Sequence, residues 1–407
     1  MRFQNPAHPG RSVRLAYCLN LHPADTLAGL LEGLRGITLP LRERLASGKT
    51  FGVGMYVPGA LAEELERGDD WRALKGFLDE HALDPFTWNA FPYGGFGAEG
   101  LKARVFEPTW AEPERASYTQ RIAQLAGRLA RRPREGEHVS ISSHTGWHSS
   151  RSLEGEPSRK AFQQLRHVER MLSGRPATEA VRVVLALEPE PRANVNDTRE
   201  LTTLYQSSLR LENDPPGLGT CLDTCHAAVE FEDPSESIAR STDHGAPLGK
   251  LQFTSALALR PERRADVDAL LALDEPRYLH QVTARAADGE LLRVGDLPEL
   301  RAALDGPDGE RWWRGAELRC HFHVPVDLAH LAEGPLATTR EHADATLAAA
   351  LARPERWGTN DLHVEIETYT WDVLPRAARG PGELVDGLER EYAHVLQRLA
   401  AAGWEPR

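Results

Sequence analysis

The residues best placed to do chemistry follow directly on short apolar runs. Residues 181–187 are almost wholly apolar and are followed by Glu188 and Pro189. A carboxylate placed there, with proline stopping the strand, sits at a strand end. Residues 218–222 run into Asp223-Thr224-Cys225-His226. That order sets a hard oxygen donor beside an imidazole, a mixture that Zn²⁺, Mn²⁺ or Fe²⁺ accepts. Cys320-His321-Phe322-His323-Val324 puts two histidines on one face of an extended segment, and His363-Val364-Glu365-Ile366-Glu367 does the same for two glutamates. Two carboxylates near one site repel unless a cation, a proton or a basic partner compensates. Each feature also has a structural reading. Glu188 can be salt-bridged to a loop, Asp223 can cap a helix, the histidines can be core residues, and Glu365 can be paired with Lys250 or an arginine. Their recurrence at successive strand ends is what favours a divalent-metal site.

The elements that must position these groups follow from hydrophobic periodicity. Short β-branched or aromatic runs alternate with longer helical patterns along the whole chain, the sign of βαβ units around a parallel sheet. Strands are expected at 13–20, 51–57, 85–91, 139–143, 181–187, 218–222, 251–257 and 362–369. Helices are expected at 58–66, 71–81, 114–131, 160–172, 198–209, 340–351 and 383–401. This predicts an α/β fold, a TIM (β/α)₈ barrel in one domain over residues 1–407. Two β-prone runs, 278–284 and 291–294, flank Asp288-Gly289 and predict a β-hairpin insertion at 278–297, after the seventh strand. A further strand-like run covers 317–324. Active sites of such barrels lie at the C-terminal ends of the strands. Asn20, His22, Asn89, Tyr93 and His144 are therefore expected to line the pocket as hydrogen-bonding, substrate-binding groups.

Composition narrows the class. The 407 residues suit a barrel with insertions, and 41% hydrophobic with 27% charged residues indicate a globular chain. A net charge of −12 argues against a broad basic footprint, so no nucleic-acid partner is expected. No apolar run approaches the length of a transmembrane span. The first ten residues do not read as a secretory signal, and a cytoplasmic location is the default. Cys18, Cys221, Cys225 and Cys320 lie in apolar, strand-like segments without C-x-x-C spacing, and are read as reduced and buried.

Leu222-Asp223-Thr224-Cys225-His226 resembles the D-T-C-H signature of the endonuclease IV branch of the xylose-isomerase-like barrel superfamily. Glu188 and Glu367-Thr368 resemble that superfamily's glutamate ligands. The resemblance implies a xylose isomerase-like barrel with a metal held by Glu188, Asp223 and Glu367. Gln252 stands where a histidine ligand is expected. A glutamine oxygen ligates weakly, and His321 or His323 can replace it from the inserted segment.

A resemblance over nearly the full length is to the EboE family of metabolite-traffic proteins. It is carried by Ala16-Tyr17-Cys18-Leu19-Asn20-Leu21-His22-Pro23, Asn89-Ala90-Phe91-Pro92-Tyr93-Gly94-Gly95-Phe96, His321-Phe322-His323-Val324-Pro325 and Glu367-Thr368-Tyr369-Thr370-Trp371. It implies the handling of a small-molecule metabolite, a secondary-metabolite precursor, with other proteins of the same operon as partners. These readings converge on a metal-dependent sugar isomerase or epimerase. Glu188 and Glu367 would act as ligand-bases on opposite walls, and His226 would orient substrate or ligate. A non-catalytic metabolite carrier and an endonuclease IV-like phosphodiesterase are the alternatives.

Overall fold

The computed structural model describes residues 1–131, 134–173, 181–211, 213–331, 334–375 and 383–407. Seven parallel strands follow one another along the chain: β1 (Ser12–Cys18), β2 (Phe51–Tyr56), β3 (Leu83–Asn89), β4 (Val139–His144), β5 (Val183–Glu188), β6 (Leu218–Asp223) and β7 (Leu248–Phe253). Five strands of a second sheet come next: β8 (Ser255–Leu259), β9 (Val282–Arg285), β10 (Leu291–Val294), β11 (Glu317–Val324) and β12 (Ala337–Thr338). The chain then returns to the first sheet as β13 (Asp361–Ile366), which pairs parallel with both β7 and β1. Eight parallel strands thus close a barrel, the predicted fold.

β4, β7 and β13 carry buried polar residues such as Ser140, Lys250 and Glu365, whereas β5 (VVLALE) reads as a nearly continuous apolar run because both its faces are covered. The helices repeat every three to four residues for the same reason. Glu156–Ser173 buries Ala161, Leu165, Val168 and Leu172 on one face, together with Glu169, which accepts from Asn213.

Two expectations change. The run 251–257 is not one strand, because the chain leaves the barrel after Phe253 and Ser255 opens β8. The Asp288-Gly289 segment does turn between antiparallel β9 and β10, with Val282 opposite Val294 and Gly289 at φ 87°. The insertion is larger than a hairpin, however. β9 and β10 form one edge of a five-stranded antiparallel sheet in the order β10-β9-β11-β8-β12. A lone hairpin is marginal in water. Here its apolar face is buried in a second core with Leu257, Leu270, Leu300 and Leu318.

Candidate metal centre

Glu188 ends β5, Asp223 ends β6, and Glu367 follows β13. Their carboxylate oxygens lie within 4.8 Å of one another, and all three side chains are buried. Burial raises the Glu188 carboxyl well above its ordinary range, and the charges of Glu367 and Asp223 add to this. Burial does the same to Glu367, reinforced by Glu365 and Asp223. Asp223 is also raised by burial, and His323 and two backbone N–H groups pull it partly back. Lys250 lowers all three, but its ammonium sits 2.5 Å from Glu365 Oε2 and donates to Trp88 O and Ser142 Oγ, each at 3.1 Å. Its charge is committed to Glu365.

Asp223 divides its two oxygens. Oδ1 caps the helix Thr224–Val229, accepting from Cys225 N at 2.6 Å and His226 N at 3.1 Å. Oδ2 is buried with no hydrogen-bond partner among the described residues, as are Glu188 Oε2 and His323 Nε2. His323 Nε2 is 3.8 Å from Asp223 Oδ2. Buried polar atoms left without partners are costly, so three of them around one acidic cluster mark a place for a cation.

The three histidines share one arrangement. His323 Nδ1 donates to the Glu367 carbonyl at 2.8 Å, and His226 Nδ1 to the Pro189 carbonyl at 3.1 Å. His321 Nδ1 donates to Gln281 Oε1 at 2.6 Å, while Gln281 Nε2 donates to Glu190 Oε1 at 2.9 Å. Carbonyl and amide oxygens only accept, so each Nε2 presents a lone pair. Outer hydrogen bonds of this kind orient metal-binding imidazoles. His226 Nε2 and His321 Nε2 face each other at 3.2 Å, and the Tyr369 hydroxyl can donate to His321 Nε2 from 3.2 Å. Burial lowers His226 to about 3 and His323 to about 4. Burial and the other histidines hold His321 well below its ordinary value. All three are neutral at neutral pH, the form that ligates.

The remaining expected residues divide. Asn20 Nδ2 and Asn89 Nδ2 both donate to Glu367 Oε1 at 2.6 Å, and both line the cavity above the carboxylates. His22, Tyr93 and His144 do not line that cavity. Packing captures each of them first. His22 bonds Tyr17 OH at 2.9 Å and its ring lies against Gly33. Tyr93 packs edge-on to Tyr118 and covers Gly59. His144 is boxed by Phe91 and Phe106. Gln252 turns its oxygen, the one atom able to ligate, to the Cys221 thiol at 2.9 Å. Three residues that the sequence reading passed over join the site. Glu190 was visible in Glu188-Pro189-Glu190-Pro191. Tyr369, whose hydroxyl is 3.2 Å from His321 Nε2, stands two residues after Glu367. Gln281 carried no signal, because it lies in the insertion.

The closed parallel barrel with helices outside is a TIM (β/α)₈ barrel, with acidic residues at the C-terminal ends of its strands. Among solved structures it is similar to a protein from Anabaena variabilis ATCC 29413 put forward as a sugar phosphate isomerase/epimerase, at 11% identity over 96% of this chain and 99% of that one, with a TM-score of 0.50. It is similar also to a D-allulose 3-epimerase from Methylomonas sp., at 12% identity over 98% and 100% of the two chains, again with a TM-score of 0.50. At such identities the likeness establishes the fold. No protein-family model and no curated protein matches the sequence. Among the described residues no helix is long and apolar enough to cross a membrane.

Proposed function

We propose that this chain is a divalent-metal-dependent enzyme of the sugar isomerase or epimerase type, acting on a small hydroxy-carbonyl compound in metabolite handling of the EboE kind. One observation carries the reading. Glu188, Asp223 and Glu367 converge within 4.8 Å, and Glu188 Oε2, Asp223 Oδ2 and the neighbouring His323 Nε2 are buried without partners among the described residues. Hard oxygens with imidazole suit Zn²⁺, Mn²⁺ or Fe²⁺. Glu188, Asp223, Glu367 and His323 would hold the ion, with His226 and His321 beside them. When bound, such an ion polarises a carbonyl and stabilises the charge that develops on its oxygen.

The protein's own groups supply the proton chemistry. Glu367 accepts two amide N–H bonds on Oε1, which favour its charged form and hold it in place. Glu188, whose charged form a bound cation would favour, is the group suited to take a proton from the carbon beside the carbonyl. Burial raises the Glu190 carboxyl to about 8, so it holds a proton at neutral pH and can return one. The test is hydrogen exchange. Metal-loaded protein in D₂O should wash the α-proton out of a hydroxy-ketone, read by NMR, and Glu188→Gln should stop the exchange. The carrier reading draws on Gln252, whose oxygen is occupied by Cys221. Bound metal, measured by elemental analysis, without exchange on any hydroxy-carbonyl compound would decide for the carrier.

A further inference from the structure

We infer that the compound bound here carries an aromatic or branched-aliphatic body on its hydroxy-carbonyl head, and is not a polyhydroxylated sugar. This rests on the metal-site reading above. The cavity over the carboxylates has its ligating polar groups at the floor, and Lys102, Arg277 and Tyr278 also border it. Above the floor its lining changes character. Phe96, Tyr278 and Tyr369 form one wall, with ring centroids 4.9–5.3 Å apart. Phe91, Val105 and Leu279 form another, packed together in one apolar cluster. The Tyr369 hydroxyl is turned down to His321, and does not serve the upper cavity. Lys102, at the mouth, is ion-paired with Asp296 at 2.8 Å.

The walls are built in advance. Phe91, Phe96 and Tyr278 are each only 7% exposed, held by residues behind them. A sugar has a hydroxyl on nearly every carbon, and each one loses water on entry. Against phenylalanine, valine and leucine those hydroxyls find no partners, at a cost for each. An apolar body meets the opposite balance, because its burial is favourable. The insertion has a part in this choice. The strand β11 carries His321 and His323, and the loop before β9 carries Tyr278 and Leu279, so one unit supplies both floor ligands and wall.

Hydroxamates test this directly, since they share one metal-chelating head and differ in body. Binding to Zn²⁺-loaded protein is measured by calorimetry for acetohydroxamate, phenylacetohydroxamate and a hydroxamate derived from a five-carbon sugar acid. Burying about 80 Å² of phenyl surface should tighten binding roughly 30-fold over acetohydroxamate. The sugar-derived compound should gain nothing over acetohydroxamate. Phe96→Ala should bring the phenylacetyl-to-acetyl ratio down towards one. Leu279→Ala, at a half-buried position that the fold tolerates more easily, should lower the same ratio. Equal affinity across the series, or preference for the sugar-derived compound, would overturn this inference and leave the metal reading standing. Zn²⁺-loaded protein that binds none of the three would likewise overturn this inference alone, whereas protein that takes up no Zn²⁺ would remove the metal reading, and this inference with it.

Discussion

Replacing Lys250 by methionine keeps most of the side-chain volume inside the barrel and removes one charge. Lys250 and Glu365 are both fully buried, with 2.5 Å between Nζ and Oε2. Breaking a buried pair by removing one partner costs about 3–5 kcal/mol, because the other charge is left uncompensated. Glu365 can escape by taking up a proton. Burial already raises its carboxyl, and Lys250 is what holds it down. Holding a carboxyl of ordinary value 4.5 neutral at pH 7 costs about 3.4 kcal/mol, at 1.36 kcal/mol per unit. The two figures agree, so Lys250→Met should cost about 3 kcal/mol at pH 7. The sign with pH follows from linkage. In the variant Glu365 has a folded value above its unfolded one. The variant is then closest to wild type below about 4.5, and falls away as pH rises through neutrality. Adding Glu365→Gln removes the stranded charge and should recover most of the loss. Urea unfolding at pH 5, 7 and 8 measures all of this. A loss under about 1 kcal/mol for Lys250→Met at pH 7, or a double variant no more stable than the single, would refute the reasoning.

Other outcomes follow from the same geometry. Adding Zn²⁺, Mn²⁺ or Fe²⁺ to chelated protein should raise its melting temperature, by about 2.7 kcal/mol of stabilisation at a hundred times Kd, and Asp223→Ala with Glu367→Ala should abolish the response. Gly54 leaves room for the Glu365 carboxylate: an added Cβ would collide with Glu365 Oε1 and stand 2.9 Å from Tyr17 O. Gly54→Ala should therefore cost at least about 1–3 kcal/mol in urea unfolding. Burial raises Glu391 to about 8 against its ordinary 4.5. Its contribution is complete below 4.5 and is lost as pH rises through 8, so Glu391→Gln should flatten the fall in melting temperature over that window, a difference on the order of a few kcal/mol. Glu230 ties Arg192 of the barrel to Arg293 and Thr283 of the insertion. Glu230→Ala should speed amide hydrogen exchange across 282–294 and leave the barrel strands protected.

The barrel and its acidic strand ends were legible in the sequence because strands alternate with helices along the chain, and runs such as 183–187 and 218–222 are mostly apolar until a carboxylate ends them. Glu188, Asp223 and Glu367 were named on that ground, and the pairing of Glu365 with Lys250 was one of the readings that strand alternation allowed. Alternation says which face and which end a residue occupies. It does not say which rotamer it takes, nor what folds over the mouth. Tertiary packing therefore turned His22, Tyr93 and His144 away from the cavity, since each found a ring or a glycine surface to cover. It also divided Asp223 between helix cap and open oxygen. The insertion was read as a hairpin because Asp288-Gly289 is a local signal, whereas its pairing with β11 joins residues 282–285 to 317–320 across more than thirty residues of chain. That long-range pairing, invisible to any local pattern, is what carries His321, His323 and Gln281 to the carboxylates.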